Sequence, residues 1–246
     1  MTPEIFPENF QRITADQHFA FACHTGVPCF TECCRELDLA LTPYDVLRLK
    51  RSLHLSSSKF LEQYVIIEWG EEELFPTCYL TMVDDGRASC VFVRKEGCSV
   101  YSDRPGSCRA YPVGRGASRN NEKTITESLV LIREPHCRGL EERTDQTVNE
   151  YLLAQGMESY NRCNDLLLPL LQHPRIQQQE FRPSRQQLDQ YILALYDLDQ
   201  FRMEMTEGRI TLQHPLTPQQ LQGLTGDDEA LLLLGISWLM QEFFGA

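Results

Sequence analysis

The sequence predicts an α+β fold, mainly helical, in which an irregular cysteine-rich N-terminal half carries a short β-hairpin and the C-terminal half is helical. Three observations predict it. Nine of the ten cysteines precede residue 140, mostly in segments rich in turn-forming residues. An Asp84-Asp85-Gly86-Arg87 step separates two apolar runs, a hairpin signal because glycine accepts positive φ in a turn. Beyond residue 144 apolar residues recur at helical spacing. The same change of character predicts two domains: residues 1–143, which hold the cysteine cluster, and residues 144–246, a helical extension packed on it.

The elements follow in order. Residues 1–22 form a lead-in with Pro3 and Pro7 and the aromatics Phe19 and Phe21. Residues 23–34 hold the first cysteine group among the turn formers Gly26 and Pro28. Thr42-Pro43-Tyr44-Asp45 opens a helix, with Thr as N-cap, Pro at N1 and an acid three residues after the cap. Ser56–Tyr64 is a second short helix that turns Phe60, Leu61 and Tyr64 inward. Tyr79–Val83 and Ala88–Val93 are the two arms of the hairpin. Residues 97–121 carry Gly97, Pro105, Gly106, Pro112, Gly114 and Gly116 and predict an irregular, ligand-bearing loop. Thr124–Arg133 is a strand that delivers Pro135-His136-Cys137 at its end. Thr147–Gln172 is helical until Pro174 ends it. After a polar linker at Gln177–Gln179 come a second amphipathic helix, Ser184–Met205, a short one opened by Leu216-Thr217-Pro218, and a last one capped by Asp227 or Asp228.

Composition narrows the function classes. The formal net charge of −12 repels phosphate backbones, so no nucleic-acid partner is expected, although Arg104, Arg109, Arg115 and Arg119 could form a local basic patch. Met1–Glu8 lacks the basic and apolar regions of a signal peptide. The longest apolar stretch, Leu231–Met240, falls short of the roughly 20 residues that cross a bilayer, so no membrane span is expected. Together these predict a cytoplasmic protein whose thiols stay reduced. There, clustered cysteines point to metal or redox chemistry.

The candidate metal ligands are Cys23, Cys29, Cys33, Cys34, Cys90, Cys98, Cys108 and Cys137. They form Cys23-x5-Cys29-x3-Cys33-Cys34, then Cys90-x7-Cys98-x9-Cys108, with Cys137 further on. Thiolate is a soft ligand, suited to zinc and iron–sulfur clusters and poorly matched to magnesium or calcium. Adjacent cysteines such as Cys33-Cys34 point in different directions and seldom share one small zinc tetrahedron. They can serve two centres or two atoms of a larger cluster, which favours an iron–sulfur cluster, of the 4Fe–4S type, over zinc. Cys78 and Cys163 read as buried small hydrophobes. His24 and His136 adjoin cysteines and could each replace a thiolate, but suit a second-layer donor or an ordinary surface position better. Arg104 and Arg109 could stabilise an anionic cluster, with Tyr101 and Tyr111 covering it. Equally, Arg104 could pair with Asp103 or a surface carboxylate, and Tyr111-Pro112 could be turn packing. Gly114–Arg119 lacks the strand–loop–helix context and the Lys-Ser/Thr ending of a phosphate loop. No G-x-S-x-G or H-E-x-x-H motif is present.

Two separated signatures resemble a known family. Phe21-x-Cys23, Cys29 and Cys33-Cys34 are followed by Leu41-Thr42-x2-Asp45-x2-Arg48-Leu49. Then come Cys90-x-Phe92 and Gly97-Cys98-x2-Tyr101-x2-Arg104-Pro105-x2-Cys108-Arg109-x-Tyr111-Pro112. Over about residues 18–140 the chain resembles the YkgJ family of cysteine-cluster, zinc- or iron-chelating domains. The resemblance implies an eight-cysteine metal-binding domain. The family's motif is C-x2-C-x2-CC, whereas this chain spaces its first three cysteines more widely. The family includes the flagellin lysine methylase FliB, which implies S-adenosylmethionine-dependent protein lysine methylation as an alternative activity. Residues 140–246 add nothing to that activity, and Glu36 stands where a radical-type C-x3-C-x2-C triad needs its third cysteine. A third alternative is a zinc-stapled interaction module that docks a protein partner through its C-terminal helices.

Overall fold

A computed structural model describes residues 9–70, 73–120, 124–224 and 226–245. Pro3 and Pro7 of the expected lead-in lie outside them. The fold is α+β and mainly helical, with small sheets in the N-terminal half and helices in the C-terminal half. The chain forms two compact units, each assembled from two stretches of sequence: Met1–Leu37 with Met82–Asp165, and Asp38–Thr81 with Leu166–Ala246. Residues 38–81 thus belong with the C-terminal helices and residues 144–165 with the cysteines, where a single division after residue 143 was the expectation.

The first unit is organised by a three-stranded antiparallel sheet, in which Ile125–Ile132 lies between Phe10–Ile13 and Val113–Arg119. The long strand shows the expected alternation at its end: Leu129 and Leu131 are buried and pair with Ile13, Arg115, Gln11 and Val113. Val113–Arg119 corrects the sequence expectation of an irregular loop. Its glycines look like loop residues, but Gly114 faces Val130, whose Cγ2 would stand 2.8 Å from an added Cβ. Glycine here serves close cross-strand packing. Gln146–Thr147 pairs with His18–Phe19, and Thr147 then caps the helix Val148–Ala154 in a capping box with Glu150. Phe19, Phe21, Val148 and Tyr151 join Ile13, Val113, Leu129 and Leu131 in one core. Residues beyond 144 therefore complete this unit's core, which no periodicity count reveals.

The expected hairpin is present but shorter. Only Met82–Val83 and Ser89–Cys90 pair, while Thr77–Leu80 pairs with Val65–Glu68 in the second unit. In the turn, the Asp85 carboxylate accepts the N–H groups of Arg87 and Ser89, at 3.0 and 3.2 Å.

The second unit is built around the helices Pro43–Ser52, Ser57–Tyr64, Arg185–Leu195, Leu198–Thr206 and Asp228–Phe244. The first starts where the Thr42 cap predicts, and the second starts one residue after the expected Ser56, which caps it. Leu49, Phe60, Leu195, Phe201, Leu231 and Leu239 are fully buried in it. Two predicted long helices are each broken in two. Thr147–Gln172 is interrupted at Gln155-Gly156, with Gly156 at φ 66°, and resumes as Met157–Leu171. Pro174 follows as the first residue of a short helix, Pro174–Gln177. Ser184–Met205 breaks at Tyr196-Asp197, where the Asp197 carboxylate accepts the hydroxyls of Ser57, at 2.6 Å, and Ser58. Among the described residues no helix is long and apolar enough to cross a membrane.

Candidate metal centre

All eight candidate cysteines lie in the first unit. No disulfide joins any of the ten cysteines, and Cys78 and Cys163 are buried. The segment Cys23–Cys34 gathers its thiols by winding through successive tight turns. Val27 N–H donates to His24 O, Phe30 N–H to Val27 O, Glu32 N–H to Cys29 O and Cys34 N–H to Thr31 O, at 2.9 to 3.1 Å. Val27, buried at 2 % exposure, anchors the coil to the protein. The extra residues of the wide Cys23-x5-Cys29 spacing are taken up in these turns.

Backbone strain is concentrated here. Thr31 and Glu36, at φ 69° and 52°, bracket Cys33-Cys34, and Ala88, at φ 43°, precedes Cys90 by two residues. Non-glycine residues in this region cost on the order of 1–3 kcal/mol each and persist where the surroundings impose them. The hydrogen bond from Glu36 N–H to Ala88 O, at 3.0 Å, joins two of these residues. The Arg35–Ser89 bridge lies beside it, so the Cys33-Cys34 segment is tied to the strand that carries Cys90.

A second tie brings in Cys137. Ala22 N–H donates to Gly139 O at 3.1 Å, and Arg138 N–H donates to Cys29 Sγ at 3.1 Å. The approach is so close that an added Cβ at Gly139 would stand 2.7 Å from both Ala22 O and the Phe21 ring. Cys137 itself packs against the sheet core. Cys98 lies opposite Val93 in a second two-stranded pair, and the Phe30 ring packs against Gly97 beside it. Cys108 is half-buried on the short helix Gly106–Ala110.

The thiols feel one another. Cys23 is pushed up to about 11, first by loss of solvation although the residue reaches solvent, then by Cys33, Cys29 and Cys137. Cys33 is raised far above the usual thiol range by a hydrogen bond with Cys34 and by burial. Burial is also the main cause of the rise at Cys90 and Cys98. Cys98 acts on Cys90, and Cys33 acts on Cys98. Cys33 thus acts on thiols of both cysteine groups. Among the described residues, no group of three or more His, Cys, Asp or Glu side chains stands in closed metal-holding geometry. The donors are nonetheless of one soft chemical type, and seven of them, Cys23, Cys29, Cys33, Cys34, Cys90, Cys98 and Cys137, act on one another, which fits a thiolate-bound metal. His24 and His136 point to carboxylates instead, His24 to Glu142 at 3.5 Å and His136 to Glu134 at 3.6 Å.

Arg104 acts on Cys23 and Cys98, and Arg109 follows Cys108 in the chain. Arg104 donates to Tyr101 O and Gln155 Oε1, both at 2.6 Å, with its guanidinium 3.8 Å from the Tyr101 ring centre. Arg109 donates to Gln155 O and Ser102 O at 2.6 Å, and its Nε is buried without a partner. Neither is paired with a carboxylate among the described residues, so the expected alternative of an Arg104–Asp103 pair is not found. The Tyr111 hydroxyl is buried without a hydrogen bond of normal geometry. Its pKa is raised by burial and then by Cys137 and Glu134, which places it beside the thiols. Gln155 and Glu134 are the residues that sequence reasoning missed. The Glu134-Pro135-His136-Cys137 run offered a weak signal for Glu134. For Gln155, near fifty residues beyond the arginines it holds, there was none.

Residues 22–138 match the family model described as "CxxCxxCC: Putative zinc- or iron-chelating domain". That segment is similar to the family's domain. It contains all eight candidate thiols and passes through both compact units, since residues 38–81 belong to the second. Within that stretch Asp45, from the Thr42-x2-Asp45 signature, is the capping-box acid of its helix, 2.8 Å from both Thr42 N and Thr42 Oγ1. It is helix-starting chemistry, remote in kind from metal binding. No curated protein and no solved structure matches the chain.

Proposed function

We propose that this chain binds an iron–sulfur cluster through thiolates drawn from Cys23, Cys29, Cys33, Cys34, Cys90, Cys98, Cys108 and Cys137. The observation that carries the reading is the position of Cys33. It hydrogen-bonds with its neighbour Cys34 and also interacts with Cys23 of the first group and Cys98 of the second. A single zinc ion needs four ligands at the corners of one small tetrahedron. Thiols of two motifs spread around an adjacent cysteine pair suit a centre with several metal atoms better. Such a cluster, when bound, supplies one-electron chemistry and a covalent cross-link among loops. The chain's own residues supply the thiolates, the Arg104 and Arg109 charges and the apolar wall of Phe21 and Tyr111.

Cysteines joined by no disulfide suit a reducing compartment such as the cytoplasm. Anaerobically purified protein is expected to be brown, with absorbance near about 400 nm and with iron and acid-labile sulfide in comparable amounts. A colourless protein carrying stoichiometric zinc overturns the cluster and leaves a zinc-chelating domain.

A further inference from the structure

We propose that a groove on the first unit is a docking site for a partner polypeptide that inserts one basic side chain into it. No cysteine lines this groove, so the proposal stands apart from the metal-binding reading above.

The groove lies between the sheet and two helices. Glu127 and Leu129 are two residues apart on the strand Ile125–Ile132 and so share one of its faces. Leu129 belongs to the core, whereas the Glu127 side chain is 50 % exposed. Asn149, Leu152 and Leu153 form an i, i+3, i+4 stripe on the helix Val148–Ala154. On the helix Met157–Leu171, Asn161 stands four residues after Met157 and three after Glu158, which sets all three toward one side. The floor is therefore apolar, with Leu129 and Met157 buried and Leu152 packed on the core. Leu153 extends it outward, at 49 % exposure. Carboxylates and carboxamides form the rim.

Size decides the class of occupant. The groove holds about 110 Å³, whereas sites for cofactors and other small molecules hold about 300–1,000 Å³. At about 30 Å³ for a water-sized group, it has room for roughly four such groups, which is one side chain. Charge decides the kind of side chain. No cation lines the groove. Arg115 reaches Glu127 at 2.8 Å, but Asp165 holds it at the same distance, so Glu158 adds a negative charge that nothing there balances. Asn149, Glu158 and Asn161 make no side-chain hydrogen bond or ion pair among the described residues. An apolar floor beneath an unpaired carboxylate complements an aliphatic stem that ends in a positive charge. The two carboxamides, each both donor and acceptor, suit the backbone of a peptide crossing the rim. The net charge of −12 draws a cationic partner toward the surface.

The test uses the full chain and four peptides, acetyl-Gly-Leu-X-Leu-Gly-amide, with lysine, arginine, norleucine or glutamate at X. Binding is followed by methyl NMR at Leu129, Leu152, Leu153 and Met157. The better of the two basic peptides is expected to shift these signals saturably, with a Kd on the order of 1 mM. The norleucine and glutamate peptides should bind about fivefold more weakly or worse, the upper range for one exposed ion pair. Glu158→Lys, a change at an exposed position, should erase that preference while the remaining methyl spectrum stays as in the parent. Equal binding of the basic and norleucine peptides overturns the basic occupant. An undiminished preference in Glu158→Lys overturns the role of the rim charge. Absence of saturable shifts at these four residues up to about 10 mM peptide overturns the docking site itself.

Discussion

Gly139 and the cysteines on either side of it carry most of what single residues contribute to the site. Its missing side chain lets the Ala22–Cys23 segment touch the Cys137–Gly139 segment. Gly139→Ala is expected to force these segments apart, lowering stability by about 1–3 kcal/mol, as overpacking does, and lowering bound metal per chain. Gly223→Ala, where nothing lies within 4 Å of the added methyl, should leave metal content unchanged. Urea unfolding and elemental analysis of the two variants check this, and equal behaviour would count against a coupling of the two segments. The gathering of the cysteine motifs in one unit was legible in the sequence, because their spacing sets them in turn-rich segments of one region. The three strained residues were not, since Thr31, Glu36 and Ala88 are ordinary residue types whose positive φ is imposed by tertiary hydrogen bonds. Nor was Gln155, which supplies its side-chain oxygen to one arginine and its carbonyl to the other.

At the scale of elements, helix starts were the most legible feature. Thr42 and Asp227 cap helices as expected, and Ser56, Thr147 and Ser184, expected as first helical residues, cap helices that start one residue later, because a cap is a local interaction. Helix breaks were illegible where distant partners cause them, as with Asp197 and the serines of residues 57 and 58. The Val113–Arg119 strand was missed because its glycines answer to Val130 and Ser128 across the sheet. Helices of the second unit are joined by a charge network no periodicity shows. Lys50, 5 % exposed, bridges Asp199 and Asp228, and Arg51 and Arg202 add to it. Lys50→Met is expected to cost about 3 kcal/mol, the low end for breaking a buried pair, because the two arginines still serve the carboxylates. Guanidinium denaturation should show this as a lower midpoint with an unchanged slope; an unchanged midpoint would mean the network is energetically neutral.

For the molecule as a whole, acid should act first through that network. Burial opposes ionisation of Asp199, but hydrogen bonds from Lys50 and Ser57 N–H and the nearby charges outweigh it and hold the carboxyl down to about 2, from 3.8. Asp228 is lowered by the same cations against the same burial. A depressed carboxyl contributes its stability above the unfolded value and loses it as pH falls through the folded one. The second unit should therefore keep its full stability down to about pH 4 and lose about 2 kcal/mol through Asp199 by about pH 2. Far-ultraviolet circular dichroism across that range reads the loss, and Asp199→Asn should flatten it. The way each unit takes two stretches of chain has a different consequence, in time. During synthesis the first unit has all its residues once position 165 has been added, whereas residues 38–81 wait for partners that begin at 166. At about 5–20 residues per second that wait lasts on the order of ten seconds. The thiol-bearing part can thus be finished, and exposed to its metal, while the earlier helices still lack the chain that will bury them.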